Sequence, residues 1–522
     1  MNTRTRRTFL RQLLGSAAAV SSGLAAACAG TEPSDGVSWD EEFDVVVVGG
    51  GGAGLVAAIE AVESGASVLV LEKAAAVGGN TARSGAVIQA AGTTFQQDAG
   101  VTGDTPDRHR QYYEQAGEDI PDPELLRVLT EQAPDAIAFM SDLGLSYQSV
   151  YGVGPIPYVD PDLMVPRIHV PGAAPEIGGG GAHVTALEEA ADAGGVEVRT
   201  ESPVRALIEH ESEGIVGVRA EIDGEDRHIM ARRGVILCSG GFDRNPDLAR
   251  ALSPQLLWEL ETGTPFTAES NTGDGLMMGM AVGADLAAIG GTIGVPAITP
   301  GAGALAPGLP SIPGLWVDRY GRRFVNEGTH YAYAIRAVFD QEQHVAWAIF
   351  DENVRGLGGT AIGGIWGPWS DDLSEEIASG KVRQGDTLAD LAGEIGVAAD
   401  ELERTLQSWN DGVAQGEDAL FGRTEALVAL DTAPYYATRV VSANLGSCGG
   451  LRIDLSCRVV DVDGEPIPRL YAAGMVAGGF IGPYYPGSGT AVLATVVFGR
   501  IAGREAGGAS PAQGVHRVPL PR

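Results

Sequence analysis

Cysteine is scarce in this 522-residue chain: Cys28, Cys238, Cys448 and Cys457 are the only four, with no CxxC pair and no CxxCH haem site. Neither a disulfide framework nor a metal cluster is indicated. Lysine is scarcer still. Lys73 and Lys381 are the only two, so almost all positive charge is arginine. Against 35 basic residues stand 68 acidic ones, a net charge of −33, which repels phosphate backbones and argues against nucleic acid as a partner. The acidity reads as a solvated surface, with steering of a cationic partner as the alternative. Past the N-terminus no apolar run is long enough to span a bilayer. Glycine, by contrast, is abundant at 75 residues, and a 44% hydrophobic, 20% charged composition supplies apolar surface for a large core. The length points to two domains.

Residues 1–28 read as a targeting segment, with a basic start, an apolar stretch from Leu13 to Ala27 and small residues up to Cys28. Thr5-Arg6-Arg7-Thr8-Phe9-Leu10-Arg11 looks like a twin-arginine export signal, which carries proteins already folded around a cofactor. The expectation is export to the periplasm or cell surface. Cys28 follows Leu24-Ala25-Ala26-Ala27, similar to a lipoprotein cleavage site but with alanine where leucine is preferred three places before the cysteine. Both a lipid anchor at Cys28 and an unlipidated form stay open.

After a polar linker, 29–41, the run Phe43-Asp44-Val45-Val46-Val47-Val48 leads into Gly49-Gly50-Gly51-Gly52-Ala53-Gly54. A β-branched run of this kind suits a strand of a parallel sheet. Gly49, Gly51 and Gly54 satisfy G-x-G-x-x-G: the first makes the turn, the second lets a pyrophosphate approach the backbone, and the third lets helix Leu55 to Ser64 pack on the strand. The helix N-terminus faces the phosphates. A second strand, Ser67 to Leu71, ends in Glu72, at the distance expected of a carboxylate that binds ribose hydroxyls.

Further along, Gly78-Gly79-Asn80-Thr81-Ala82-Arg83-Ser84-Gly85 resembles the second flavin-contacting loop of the fumarate reductase and 3-ketosteroid dehydrogenase superfamily. The resemblance recurs in order down the mature chain, at Gly181-Ala182-His183-Val184, at Val204, at Val235 to Phe242 and at Asn271-Thr272-Gly273-Asp274-Gly275. Taken singly, His183 also suits a structural loop, and Asp274 the cap of a helix.

The resemblance implies an α/β fold: a Rossmann-type FAD-binding domain, a parallel sheet with helices on both faces, with an inserted α+β capping domain. The FAD-binding parts are 42–290 and 446–510, the cap is 291–445, and 511–522 is a tail. Implied FAD contacts in the first part are Gly49, Gly51, Ala53, Gly54, Glu72, Lys73, Gly79, Asn80, Thr81, Ser84, Gly85 and Ala86. Val204, Ser239, Gly240, Asp274, Met475, Thr490 and Ala491 follow. No histidine occupies 78–86, so the FAD is expected to be non-covalent.

The dicarboxylate-binding residues of fumarate reductases, two histidines and an arginine, have no counterpart. Gly294-Val295-Pro296-Ala297, Leu445-Gly446-Ser447-Cys448 and Tyr485 stand in their places. Instead, Tyr485-Pro486-Gly487-Ser488-Gly489 resembles the Tyr-Pro-Gly-x-Gly segment of 3-ketosteroid Δ1-dehydrogenases, and Asn326-Glu327-Gly328-Thr329-His330-Tyr331 the segment supplying their base. On that resemblance Tyr485 and Gly489 polarise a ketone, Tyr331 removes the α proton, flavin N5 accepts hydride from the adjacent carbon, and an enone results. Tyr331 then needs a neighbouring positive charge or hydrogen-bond donor, which His330 or Arg355 would supply. As plain packing, Tyr484 and Tyr485 flank a glycine turn, and Tyr331 joins the cap aromatics Tyr320 and Tyr333.

Two other readings stay open. A respiratory reductase of activated alkenes would use Arg355 as proton donor with Glu327 in its relay, though the two also suit an ion pair. A flavin-binding or electron-transfer protein without catalysis would need no substrate residues. For the enzymes, a small organic substrate and an external electron carrier, a quinone or cytochrome, are the expected partners.

Overall fold

The computed structural model describes residues 30–172, 179–298, 314–356, 370 and 372–508, so the leader, Cys28 and the tail lie outside the described residues.

Strand β1 (Gly30–Pro33) is followed by β2 (Glu41–Val48), α1 (Gly52–Glu63) and β3 (Val68–Leu71). Val45 to Val47 and Leu69 to Val70 are fully buried, as befits strands covered on both faces. Next come α2 (Gly79–Arg83), β4 (Ile88–Gln89), α3 (Pro106–Ala116) and α4 (Gly179–Ala193). The main sheet is completed by β5 (Glu197–Arg199), β6 (Val204–His210), β7 (Gly214–Ile222) and β8 (Glu225–Leu237). Strands β5, β3, β2 and β8 run parallel side by side, with Val45 opposite Val68 and Val235 opposite Val46. The α/β fold is thus as expected, but its sheet is mixed. β6, β7 and β8 form an antiparallel meander, and β1 adds a parallel edge strand to β6. Part of the 29–41 linker is therefore strand, since an extended segment can satisfy its backbone on a sheet edge.

Helices α5 (Pro254–Thr262) and α6 (Asp274–Ala281) precede the cap. The cap sheet includes β9 (Thr292–Ile298), β10 (Leu315–Val317), β11 (Trp347–Asp351), β12 (Val382–Gly385) and β13 (Tyr435–Ser447), with β13 antiparallel to β9, β11 and β12 and parallel to the short strand Thr264–Pro265. Its helices include α7 (Tyr331–Phe339), α8 (Glu352–Arg355), α9 (Leu388–Ile395) and α10 (Ala399–Gln415). Strand β13 crosses the expected boundary at 445 and ends two residues later. β14 (Pro466–Ala472) then returns to the main sheet beside β8, and α11 (Thr490–Gly507) packs on α1.

The cap is rooted by a buried carboxyl. Glu259 of α5 accepts hydrogen bonds from Thr292 Oγ1 at 2.8 Å, Asn444 Nδ2 at 2.6 Å and Gln255 Nε2 at 3.0 Å, tying β9 and β13 to the FAD-binding domain. Cys238, Cys448 and Cys457 are all free and buried. Among the described residues no helix is long and apolar enough to cross a membrane.

Candidate active site

The glycines after β2 differ in what they leave room for. Gly49 has φ +106°, and a methyl group on it would lie 2.5 Å from the Cys238 carbonyl oxygen. On Gly54 a methyl would lie 1.9 Å from the Gly49 carbonyl oxygen. Both glycines are required by the protein's own packing. At Gly51 the nearest protein atom would be 4.0 Å away, so that space belongs to the cleft in front of it. Helix α1 begins there with no capping side chain and no acid in its first turn, leaving N–H groups for an outside anion.

The cleft runs between Val48, Glu72, Asn80, Val204, Ser239 and Met475. Of the expected FAD contacts, Gly49, Gly51, Ala53, Lys73, Gly79, Thr81, Gly240 and Asp274 also line it. Glu72 is 6% exposed, and its two oxygens accept from Gly50 N and Ala74 N, each at 2.8 Å. Lys73 Nζ donates to Asp274 Oδ2 at 2.7 Å and Thr272 Oγ1 at 2.6 Å. Asn80 Oδ1 accepts from Ala268 N, and Thr81 Oγ1 from Gly52 N. A helix start whose N-cap glycine offers no side chain, open room in front of Gly51 and an acid directly after β3 fit the pyrophosphate and ribose of a dinucleotide such as FAD. Gly54 lies behind this surface. Ser84 Oγ bonds Thr81 O and Ala86 N, while Thr490 and Ala491 belong to the start of α11. Gly85, between Ser84 and Ala86, follows the end of α2.

At that start the turn Tyr485–Gly489 is clamped from below. One face of α3 presents His109, Tyr112 and Tyr113. Tyr112 Oη donates to Pro486 O at 2.6 Å, Tyr113 Oη meets Thr490 Oγ1 at 2.9 Å, and His109 Nε2 lies 3.0 Å from Gln89 Oε1. Gln89 Nε2 in turn reaches Ser488 O at 3.4 Å. Gly487 and Gly489, at φ +137° and +94°, make a backbone path that side chains resist. Within it the Tyr485 hydroxyl accepts the Ala491 N–H at 3.0 Å. Among the described residues the Gly489 N–H has no hydrogen-bond partner.

The cap brings Tyr331 to the same place. Its ring lies 6.4 Å from that of Tyr485 and 4.2 Å from that of His330, and its hydroxyl is 3.2 Å from Ser488 Oγ. The His330 N–H donates to Pro155 O at 3.0 Å, fixing the start of α7. Burial pushes both tyrosine hydroxyls above their usual pKa, and for Tyr331 the Ser488 hydrogen bond opposes this only in part.

Among the described residues the cation expected beside Tyr331 is not found, and the Tyr331 hydroxyl is hydrogen-bonded to Ser488 instead. Burial lowers the His330 pKa to about 3, so the imidazole is neutral. Arg355 Nε donates to Glu352 Oε2 at 2.6 Å, and Tyr436 Oη meets the same oxygen. Glu327 is fully buried between Arg323 at 2.7 Å and Arg423 at 3.3 Å and accepts from Trp316 N. Glu327 and Arg355 thus take part in different ion pairs, because an arginine three residues after an acid on a helix meets it directly. The sequence reading missed Gln89, His109, Tyr112, Tyr113 and Ser488. The helical spacing of 109, 112 and 113 was the one available signal.

The profile of the FAD binding domain family matches residues 44–492. NADH:fumarate oxidoreductase of Klebsiella pneumoniae is 30% identical over 470 residues, 89% of this chain and 48% of that protein, so the chain spans about half of that relative's length. The 3-oxosteroid 1-dehydrogenase of Mycobacterium tuberculosis is 29% identical, covering 88% of this chain and 98% of its own. The crystal structure of 3-ketosteroid-Δ4-(5α)-dehydrogenase from Rhodococcus jostii with 4-androstene-3,17-dione is 28% identical, with a TM-score of 0.78 over 92% of this chain and 99% of that one.

Proposed function

The chain belongs to the FAD binding domain family of oxidoreductases, and from that premise we propose that it dehydrogenates the carbon–carbon bond beside the carbonyl of a cyclic ketone, giving an enone. The observation that carries this reading is the state of the Tyr485 hydroxyl. Burial keeps it protonated, Ala491 N–H occupies one of its lone pairs, and its own proton is left for an outside acceptor. With the Gly489 N–H of the same turn as a second donor, a carbonyl oxygen held there would be stabilised as negative charge builds on it when the neighbouring C–H is broken.

The cleft residues would hold FAD, which would supply the hydride acceptor for the β carbon. Tyr331 handles the α proton. Its raised pKa disfavours a standing phenolate, so the hydroxyl passes its own proton to Ser488 Oγ as it receives the substrate's, and Ser488, which is partly exposed, releases its own hydroxyl proton to water. Run in reverse, the same groups protonate an enone, so the redox level of the electron partner decides the direction. The names of the fumarate and steroid relatives support a small organic substrate of either direction. A separate quinone or cytochrome as electron carrier, and export through the leader with Cys28 as a lipid anchor, complete the proposal.

The test is anaerobic flavin absorbance of the holoprotein. Bleaching by saturated cyclic ketones or 3-oxosteroids, or recovery of the reduced form by the matching enones, is the expected result. A flavin that responds only to fumarate or other enoates would overturn the ketone reading.

A further inference from the structure

His330 is a buried polar side chain of the tyrosine end that the proton path leaves unused. Its Nδ1 accepts the Ala332 N–H at 3.3 Å as the cap of α7, which puts the ring proton on Nε2. The residue is 2% exposed, and Nε2 has no hydrogen-bond partner. An orphaned buried donor is unfavourable, and folded proteins seldom keep one without a use for it.

Its neighbours fix where it points. The imidazole is held against the Tyr331 ring at 4.2 Å, and a methyl group on Gly487 would lie 3.6 Å from Nε2. The same methyl would lie 2.5 Å from Val153 Cγ1 and 2.8 Å from Gln89 Nε2. Nε2 therefore lies against Gly487, in the middle of the Tyr485–Gly489 turn that carries the two groups assigned to the carbonyl. The side chains around it, Tyr331, Val153 and Gln89, carry no charge to pair with an ionised ligand group.

We propose that the Nε2–H of His330 binds a second, uncharged oxygen of the substrate, so that the site takes cyclic ketones bearing a further hydroxyl or carbonyl near the reacting one. The proposal rests on the ketone reading of this site. It makes His330 a specificity-determining residue: a site built to donate to an oxygen discriminates against the analogue that lacks it.

Cyclohex-2-enone and its 4- and 5-hydroxy derivatives, at the oxidation level of the product, can be titrated into the oxidised holoprotein without turnover and followed by perturbation of the flavin spectrum. At least one hydroxy derivative should bind about tenfold more tightly than cyclohex-2-enone, as one buried hydrogen bond allows. In His330→Asn, which keeps a capping acceptor but lacks the reach, the gap should fall below about twofold. His330→Phe, which keeps the ring beside Tyr331, should behave alike. A gap that persists in both variants, or no gain from either hydroxyl in the unaltered protein, overturns the proposal. Failure of all three ligands to perturb the unaltered flavoprotein would instead overturn the ketone reading, and this inference with it.

Discussion

Replacing Tyr485 by Phe removes one oxygen atom and leaves a ring that is only 4% exposed in its packing. Two hydrogen bonds are lost. The first is that from Ala491 N, 3.0 Å away, and orphaning a buried N–H of this kind costs about 1 kcal/mol of stability. The second is the donor to the substrate oxygen, which matters most as the carbonyl gains charge. Loss of one such donor removes about 3 kcal/mol of transition-state stabilisation, or roughly a hundredfold in rate. Because the neutral ground-state carbonyl gains less from the donor, the ketone's Kd should change only about threefold. The assay is single-turnover flavin reduction at saturating ketone in an anaerobic stopped-flow instrument, with urea unfolding of the same preparations to read stability. A variant with normal FAD content whose reduction stays within about threefold of the unaltered rate would refute the reasoning. It would leave the hydroxyl as nothing more than a cap of α11.

Gly51→Ala and Gly54→Ala should fail differently, since one methyl enters the cleft and the other meets the Gly49 carbonyl at 1.9 Å. Gly51→Ala is expected to fold but to be purified with little FAD, measured as the flavin-to-protein absorbance ratio, whereas Gly54→Ala should lose soluble protein; equal FAD retention in Gly51→Ala would contradict the cradle. Glu60 pins α1 to α11 through Arg500 and through Arg504 at 2.9 Å. Burial alone would raise its pKa, but the two arginines outweigh that and lower it. Its stabilisation is therefore present above the unfolded-state carboxylate pKa and lost as pH falls through the lower folded value. Glu60→Gln should cost about 3 kcal/mol at pH 7, with the difference closing in acid; a pH-independent cost in urea titrations would show that packing, not charge, is at stake.

Local signals were legible in the sequence and distant ones were not. The strand, glycine turn, helix and Glu72 lie within one short βαβ unit, where period and spacing carry the information. The conformation of the Tyr485–Gly489 turn was equally readable, because glycines mark the positive φ values. What clamps that turn was hidden: Tyr112 reaches Pro486 across 374 residues, and Gln89 reaches Ser488 across 399. Such contacts are set by tertiary packing and leave no local pattern. The role given to His330 as a cation fell to burial, which a sequence does not display. Arg355 was read towards a distant Glu327, while the structure pairs it with Glu352 three residues away. The export leader and Cys28 lie outside the described residues, so nothing in the fold bears on them.

The Glu259 knot at the root of the cap has a mechanical consequence. Strand β13 is 13 residues long, about 43 Å at ~3.3 Å per residue, and one end of it is welded through Asn444 to the FAD-binding domain, as β9 is through Thr292. A structure fixed in this way bends as a cantilever rather than swinging as a door. Displacement is smallest near the weld and grows towards the free rim. Tyr331 packs against the apolar patch formed by Val295, Ala297, Val441 and Ala443 on those two strands, close to the fixed end. Tyr331 therefore sits where the two strands are held most firmly, in register with the turn below it.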